Sequence, residues 1–206
     1  MNASELQSLL TRTMTALPKH SEELRELDAA IGDGDLGITV GSGAKAIVAA
    51  LQTADPGVDF QAVLQLAAKA FSTANPSTFA ALVGGGLLAA SKTMAGKASL
   101  SQMDAAVIGD AVAARIMERG KSKLGDKTIL DALIPSLKTL RAQNADACMV
   151  LDAMIATAQT KITETAELQS AKGRAAWAQE RSIGQADPGA TAYLRFLQEL
   201  RASWEQ

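Results

Sequence analysis

Apolar positions recur at helical spacing along almost the whole chain. Between Ser4 and Leu17, the residues Leu6, Leu9, Leu10 and Met14 share one face, and Ser4-x-x-Gln7 matches a capping box at its start. A shorter helix is predicted from Ser21, with Glu22 and Glu23 in the first turn, where the helix dipole favours anions. It turns Leu24 and Leu27 inward and ends near Asp28. Helical periods resume over Ile38 to Leu51, Phe60 to Thr73, Thr78 to Met94, Ser101 to Arg119, Thr128 to Arg141, Asp146 to Glu167 and Pro188 to Trp204. The breaks carry Asp55-Pro56-Gly57, Asn75-Pro76, the run Gly120 to Lys127 and the run Lys172 to Asp187. No window alternates apolar and polar residues long enough to predict a sheet. The pattern predicts one all-α domain over residues 1–206, built from eight or nine helices.

Composition supports this reading. The chain holds 41 alanines and 24 leucines, an aliphatic stock that suits closely packed helices better than a sheet. With 20 basic against 22 acidic residues, it has no general electrostatic reason to coat nucleic acid or an anionic membrane, and neither is expected as a partner. Cys148 is the single cysteine and His20 the single histidine, which excludes an internal disulfide, a thiolate zinc cluster and a histidine-based triad within one chain. The N-terminal MNASELQSLL has no basic segment ahead of a long apolar run. The most apolar stretch, Phe79 to Ala90, is too short to span a bilayer, so a cytoplasmic location is expected. Any bound metal is therefore expected to take oxygen ligands. His20 reads as a capping or surface residue, Cys148 as core, and Gly84-Gly85-Gly86 as close helix packing or a kink.

The carboxylates concentrate at one point. Asp28 ends a helix, and Asp33 and Asp35 lie on the glycine-rich loop after it, giving D-x4-D-x-D. Glycines let such a loop curl so that all three carboxylates reach one place, where they repel each other unless a hard cation sits between them. Mg²⁺ suits them, because it accepts a few carboxylates and completes its shell with water and phosphate. A helix begins directly afterwards near Gly37-Ile38-Thr39, and its free amides and threonine hydroxyl offer a seat for phosphate. By itself, Gly32-Asp33-Gly34-Asp35-Leu36-Gly37 also reads as an ordinary surface turn.

Two further loops carry charge. Arg119 to Thr128 gathers Arg119, Lys121, Lys123 and Lys127, which alone reads as a solvated basic turn after a helix. Lys172 to Thr191 is long for a connection in a helical domain, holds Arg174 and Arg181, and ends in Asp187-Pro188-Gly189, with Asp187 placed as an N-cap. The turn Asn75-Pro76-Ser77-Thr78 starts a helix and offers hydroxyls as a second phosphate contact.

Together, LDAAIGDGDLG, RGKSKLGDKTILDALIP and KGRAAWAQERSIGQADPGAT give the chain a close resemblance, over essentially its whole length, to the nucleotide-binding L subunit of dihydroxyacetone kinase. The resemblance implies a barrel of about eight antiparallel amphipathic helices with the nucleotide, ATP or tightly bound ADP, at one rim. It implies Asp28, Asp33 and Asp35 as ligands of two Mg²⁺ ions and Leu36, Gly37, Ile38 and Thr39 as the phosphate cradle. Ser77, Thr78 and Phe79 would lie beside that cradle, Gly120 and Ile129 on the adenine side, Arg174 on phosphate, and Asp187, Pro188 and Gly189 closing the site. It also implies a separate K subunit that holds the ketose. Leu36 stands where members fed by a phosphotransfer-system subunit carry histidine, which points to ATP as donor. The turn at Asn75 to Ala80 departs from the family's Gly- and Ser-rich form, a departure that fits a branch acting on another small ketose such as a tetrulose. A regulatory L-type subunit and a fatty-acid-kinase-like nucleotide domain are the alternative readings.

Overall fold

The computed structural model describes residues 1–55 and 57–204, so Pro56 of the Asp55-Pro56-Gly57 break lies outside the described residues. Among these residues there are helices and no strand: α1 (Ala3–Ala16), α2 (Ser21–Ile31), α3 (Leu36–Gln52), α4 (Phe60–Ala74), α5 (Thr78–Thr93), α6 (Gln102–Gly120), α7 (Ile129–Ala142), α8 (Ala147–Ala166) and α9 (Pro188–Trp204). Two 3₁₀ segments, Leu17–His20 and Arg174–Ser182, complete the set. The second of these gives helical structure to a stretch expected to be an unstructured loop.

Local chemistry explains most of the boundaries. The first helix is capped two residues earlier than expected. Asn2 accepts from the Glu5 amide while the Glu5 carboxylate accepts from the Asn2 amide, so the capping box is Asn2-x-x-Glu5 rather than Ser4-x-x-Gln7. The Glu5 carboxylate answers the Asn2 amide with a charge-assisted bond that a glutamine amide would not make. Helix α2 continues one turn past Asp28 because Ile31 is buried against the core. Asp59, Ser77, Ser101, Thr128 and Asp146 each cap the helix that follows through a side-chain oxygen.

From α3 to α9 each helix packs on the next, and α1 and α2 close the ring, each touching both α3 and α9. Short connections make sequential neighbours antiparallel. The triple glycine lets three helices approach closely: a Cβ on Gly84 would fall 1.8 Å from Ser72 Oγ of α4, and one on Gly86 3.0 Å from Val112 of α6. The interior consists of two apolar clusters that share Phe196. They surround an apolar cavity of about 480 Å³ bordered by residues such as Leu9, Val40, Phe71, Leu133, Tyr193 and Leu197. Cys148 is only half-buried in the first turn of α8, short of the core position expected for it. His20 does not cap α2 with its ring. Instead its Nε2 lies 2.8 Å from Glu199 Oε1, joining the first 3₁₀ turn to α9. No helix among the described residues is long and apolar enough to cross a membrane.

Candidate metal and nucleotide site

One rim of the ring collects the chemistry. Helix α2 delivers Asp28 in its last turn, and the loop to α3 returns immediately, with Gly34 at φ +74° supplying the left-handed residue that the tight reversal requires. The reversal brings an oxygen from each of Asp28, Asp33 and Asp35 within 4.8 Å of one another. Asp33 is exposed and the other two are half-buried. Burial, reinforced by the charges of Asp33 and Asp35, raises the Asp28 carboxyl above the usual aspartate range, opposed by the Leu36 amide that donates to its Oδ2 at 3.2 Å. Arg174 answers part of the charge from the far end of the sequence. Its Nη1 lies 2.5 Å from Asp33 Oδ2 and 3.3 Å from Asp35 Oδ2, and the Asp33 charge holds its guanidinium pKa up. Three close carboxylates facing one arginine leave a net negative, all-oxygen cluster, which fits a hard divalent cation.

The starts of α3 and α5 lie side by side next to this cluster. Asn75 Nδ2 donates to Thr39 Oγ1 at 2.9 Å, and Thr39 Oγ1 donates to Ser77 Oγ at 3.3 Å. Thr39 is 1% exposed, so its hydroxyl joins the two helix starts and is not turned outward as the sequence suggests. Leu36 likewise faces inward at 5% exposure, with its amide committed to Asp28. The first-turn amides of Gly37, Ile38, Thr78 and Phe79 have no acceptor within their helices, as at any helix start.

Beyond α5 the ring continues to the remaining predicted residues. A Cβ built on Gly189 would fall 3.2 Å from Asp187 Oδ2, 3.4 Å from Phe79 Cε2 and 3.6 Å from Ile129 Cβ, so these four positions meet. Phe79 is steadied by an edge-on contact with Phe71, ring centroids 6.4 Å apart. A Cβ on Gly120 would sit 3.5 Å from Leu82, one turn along α5 from Phe79. Asp187 acts as the N-cap expected of it, accepting from the Ala190 amide at 2.7 Å, with Pro188 opening α9. Its burial pushes its pKa up to about 7 against the pull of its amide donors. The structure thus arranges the predicted residues as one arc, from the carboxylates through the α3 and α5 starts to the α9 start.

Residues that the sequence reading passed over hold this arc in place. Asn75 does so through Thr39. Asp131 accepts from the Gly125 amide at 2.6 Å and from the Thr128 amide at 2.7 Å, shaping the 121–128 loop. The basic loop is not uniformly solvated: Lys121 and Lys123 are exposed, whereas Lys127 is 1% exposed. The capping-box spacing Thr128-x-x-Asp131 was the available signal for Asp131.

A closed ring of helices that carries its polar chemistry on the connecting loops of one rim is the α-barrel type of ligand-binding domain. The description "DAK2 domain" matches residues 30–202, and the chain belongs to that family. It is 29% identical over 204 residues to the Escherichia coli PEP-dependent dihydroxyacetone kinase, ADP-binding subunit DhaL, covering 97% of this chain and 96% of that protein. It is 30% identical over 203 residues to human triokinase/FMN cyclase, but there it spans only 35% of the relative's length. The fold is that of part of the C. freundii dihydroxyacetone kinase, solved in complex with AMP-PNP and Mg²⁺. The TM-score is 0.77 at 22% identity, over 98% of this chain and 34% of that one.

Proposed function

We propose that this chain is the nucleotide-binding, phosphoryl-transfer subunit of a kinase for dihydroxyacetone or a related small ketose, working in the cytoplasm as one domain over residues 1–206. The observation that carries the reading is the triad of carboxylate oxygens within 4.8 Å beside two adjacent helix starts. Asp28, Asp33 and Asp35 would hold Mg²⁺, two ions in the full site, and the metal would neutralise the nucleotide's phosphates. The amides of Gly37, Ile38, Thr78 and Phe79 would receive phosphate oxygens, with Arg174 swinging from Asp33 and Asp35 to the same charge. Gly120, Phe79, Ile129 and the Asp187-Pro188-Gly189 start of α9 would border the base and ribose. Phosphoryl transfer needs mainly positioning and charge neutralisation, so a rim without a catalytic histidine suffices.

The chain needs a partner for the acceptor. Its one histidine is engaged with Glu199, and a separate K subunit would hold that substrate. Leu36 favours exchangeable ATP as the donor. The second reading, a carrier that retains ADP and is recharged by a phosphotransfer-system subunit, draws on the PEP-dependent relative. The test is reconstitution with a ketose-holding subunit, ATP, Mg²⁺ and dihydroxyacetone. Ketose phosphate forming only when both subunits and Mg²⁺ are present supports the reading. A chain that binds neither ATP nor ADP overturns it. Turnover that requires phosphoenolpyruvate-driven recharging selects the second reading.

A further inference from the structure

The loop that carries Arg174 is held at its base by a buried lysine. Lys127 is 1% exposed, and its ammonium donates to the carbonyls of Ala166 and Leu168 at 2.9 Å each and of Ser182 at 2.5 Å. All three ammonium hydrogens find acceptors, two at the end of α8 and one at the end of the 174–182 segment. Lys127 also adopts φ +59°, a conformation that costs a residue with a side chain and persists only where its surroundings fix it.

The same place closes the loop from its other side. The Ala171 amide donates to the carbonyl of Asp126 at 3.0 Å, the Ser170 amide to Ser182 Oγ at 2.9 Å, and the Gly184 amide to the Ala166 carbonyl at 2.8 Å. Residues 170–184 therefore form a compact loop whose two ends meet over Asp126 and Lys127, in the manner of an Ω-loop. Arg174 projects from that loop onto Asp33 and Asp35, the second of these contacts made across 139 residues of sequence. Away from this base the loop packs on α2 and buries Ala178, while Trp177 is 84% exposed and Arg174 lies at the surface.

We propose that Lys127 is a positioning residue that clamps the base of the 170–184 loop and thereby holds the Arg174 guanidinium over the acidic triad, where it meets the phosphates of the bound nucleotide. The inference rests on the nucleotide reading above and adds to it a residue that touches neither metal nor nucleotide.

The test is a double-mutant cycle read by calorimetric titration of ADP and ATP with Mg²⁺ into the full chain. Lys127→Met and Arg174→Ala should each weaken ATP binding about tenfold, and the double variant should be no weaker than Arg174→Ala alone. With Trp204→Phe leaving Trp177 as the only tryptophan, Lys127→Met should also lower Trp177 fluorescence anisotropy in the folded protein, a change that general destabilisation would not produce. Ser182→Ala, which opens the same base without removing a buried charge, should reproduce both effects in smaller form and serves if Lys127→Met does not fold. Additive losses in the cycle, or unchanged anisotropy, overturn the inference and leave the nucleotide site standing. A wild-type chain that binds no nucleotide overturns both.

Discussion

Two charged clusters sit on the same rim, and they solve opposite problems. At the α2–α3 turn, three carboxylates crowd together with a single arginine shared between two of them, so the cluster is partly exposed and unbalanced. At the base of the 170–184 loop, one cation is buried and every hydrogen it offers is accepted by a backbone carbonyl. A saturated, buried cation contributes order. An unsaturated, accessible group of like charges can be completed only by something that arrives from solution. The contrast separates the part of the rim that binds from the part that positions.

The largest effect should come from the unsaturated side. Asp33→Ala should abolish Mg²⁺-dependent nucleotide binding while leaving the fold intact, since Asp33 is exposed and removing it relieves repulsion. Calorimetry of binding, alongside a thermal melt within about 0.5 kcal/mol of wild type, checks both halves. Strong loss of stability without loss of binding would erase the comparison.

On the buried side, Asp187 should make stability depend on pH. Its pKa in the folded protein is about 7, above that of an unfolded aspartate, so the folded state holds the proton more tightly. The stabilisation this brings is fully present below about pH 4 and is lost as pH rises to about 7, a change on the order of 4 kcal/mol at most. Asp187→Asn should flatten that slope in denaturant titrations run from acid to neutral pH.

Lys127→Met removes the ammonium from three carbonyls, of which those of Ala166 and Ser182 keep the Gly184 and Gln185 amides, and should destabilise the fold by roughly 3 kcal/mol, read from urea unfolding. Burial lowers the lysine's pKa, so a charge-neutral form is nearer at hand there than on the surface, but three acceptors favour the ammonium. The smallest effect is expected at Asn75→Ala, which removes one donor to Thr39 and should cost about 1 kcal/mol. It should also loosen the junction of the α3 and α5 starts, weakening nucleotide binding modestly.

The acidic triad was legible in the sequence because its members lie within eight residues, and glycine punctuation reports a tight turn whatever surrounds it. The start of α9 was legible, since Pro188 and Asp187 mark a helix start by their own chemistry. The end of α2 was not, because Ile31 extends the helix only by packing against a core that local pattern does not contain. Nothing local distinguishes Lys127 from Lys121 and Lys123. Its burial depends on the end of α8 and on Ser182 arriving from about 40 and 55 residues away. Thr39 reads as an outward phosphate contact until Asn75 and Ser77 take its hydroxyl.

The most direct test of the central claim is titration of ATP and ADP into the purified full chain, first with Mg²⁺ and then with EDTA. The account predicts saturable binding of nucleotide with Mg²⁺ that EDTA abolishes and that Asp33→Ala lacks. Binding that is unaffected by EDTA, or no binding in either condition, would contradict the assignment of the acidic triad as the metal and nucleotide site.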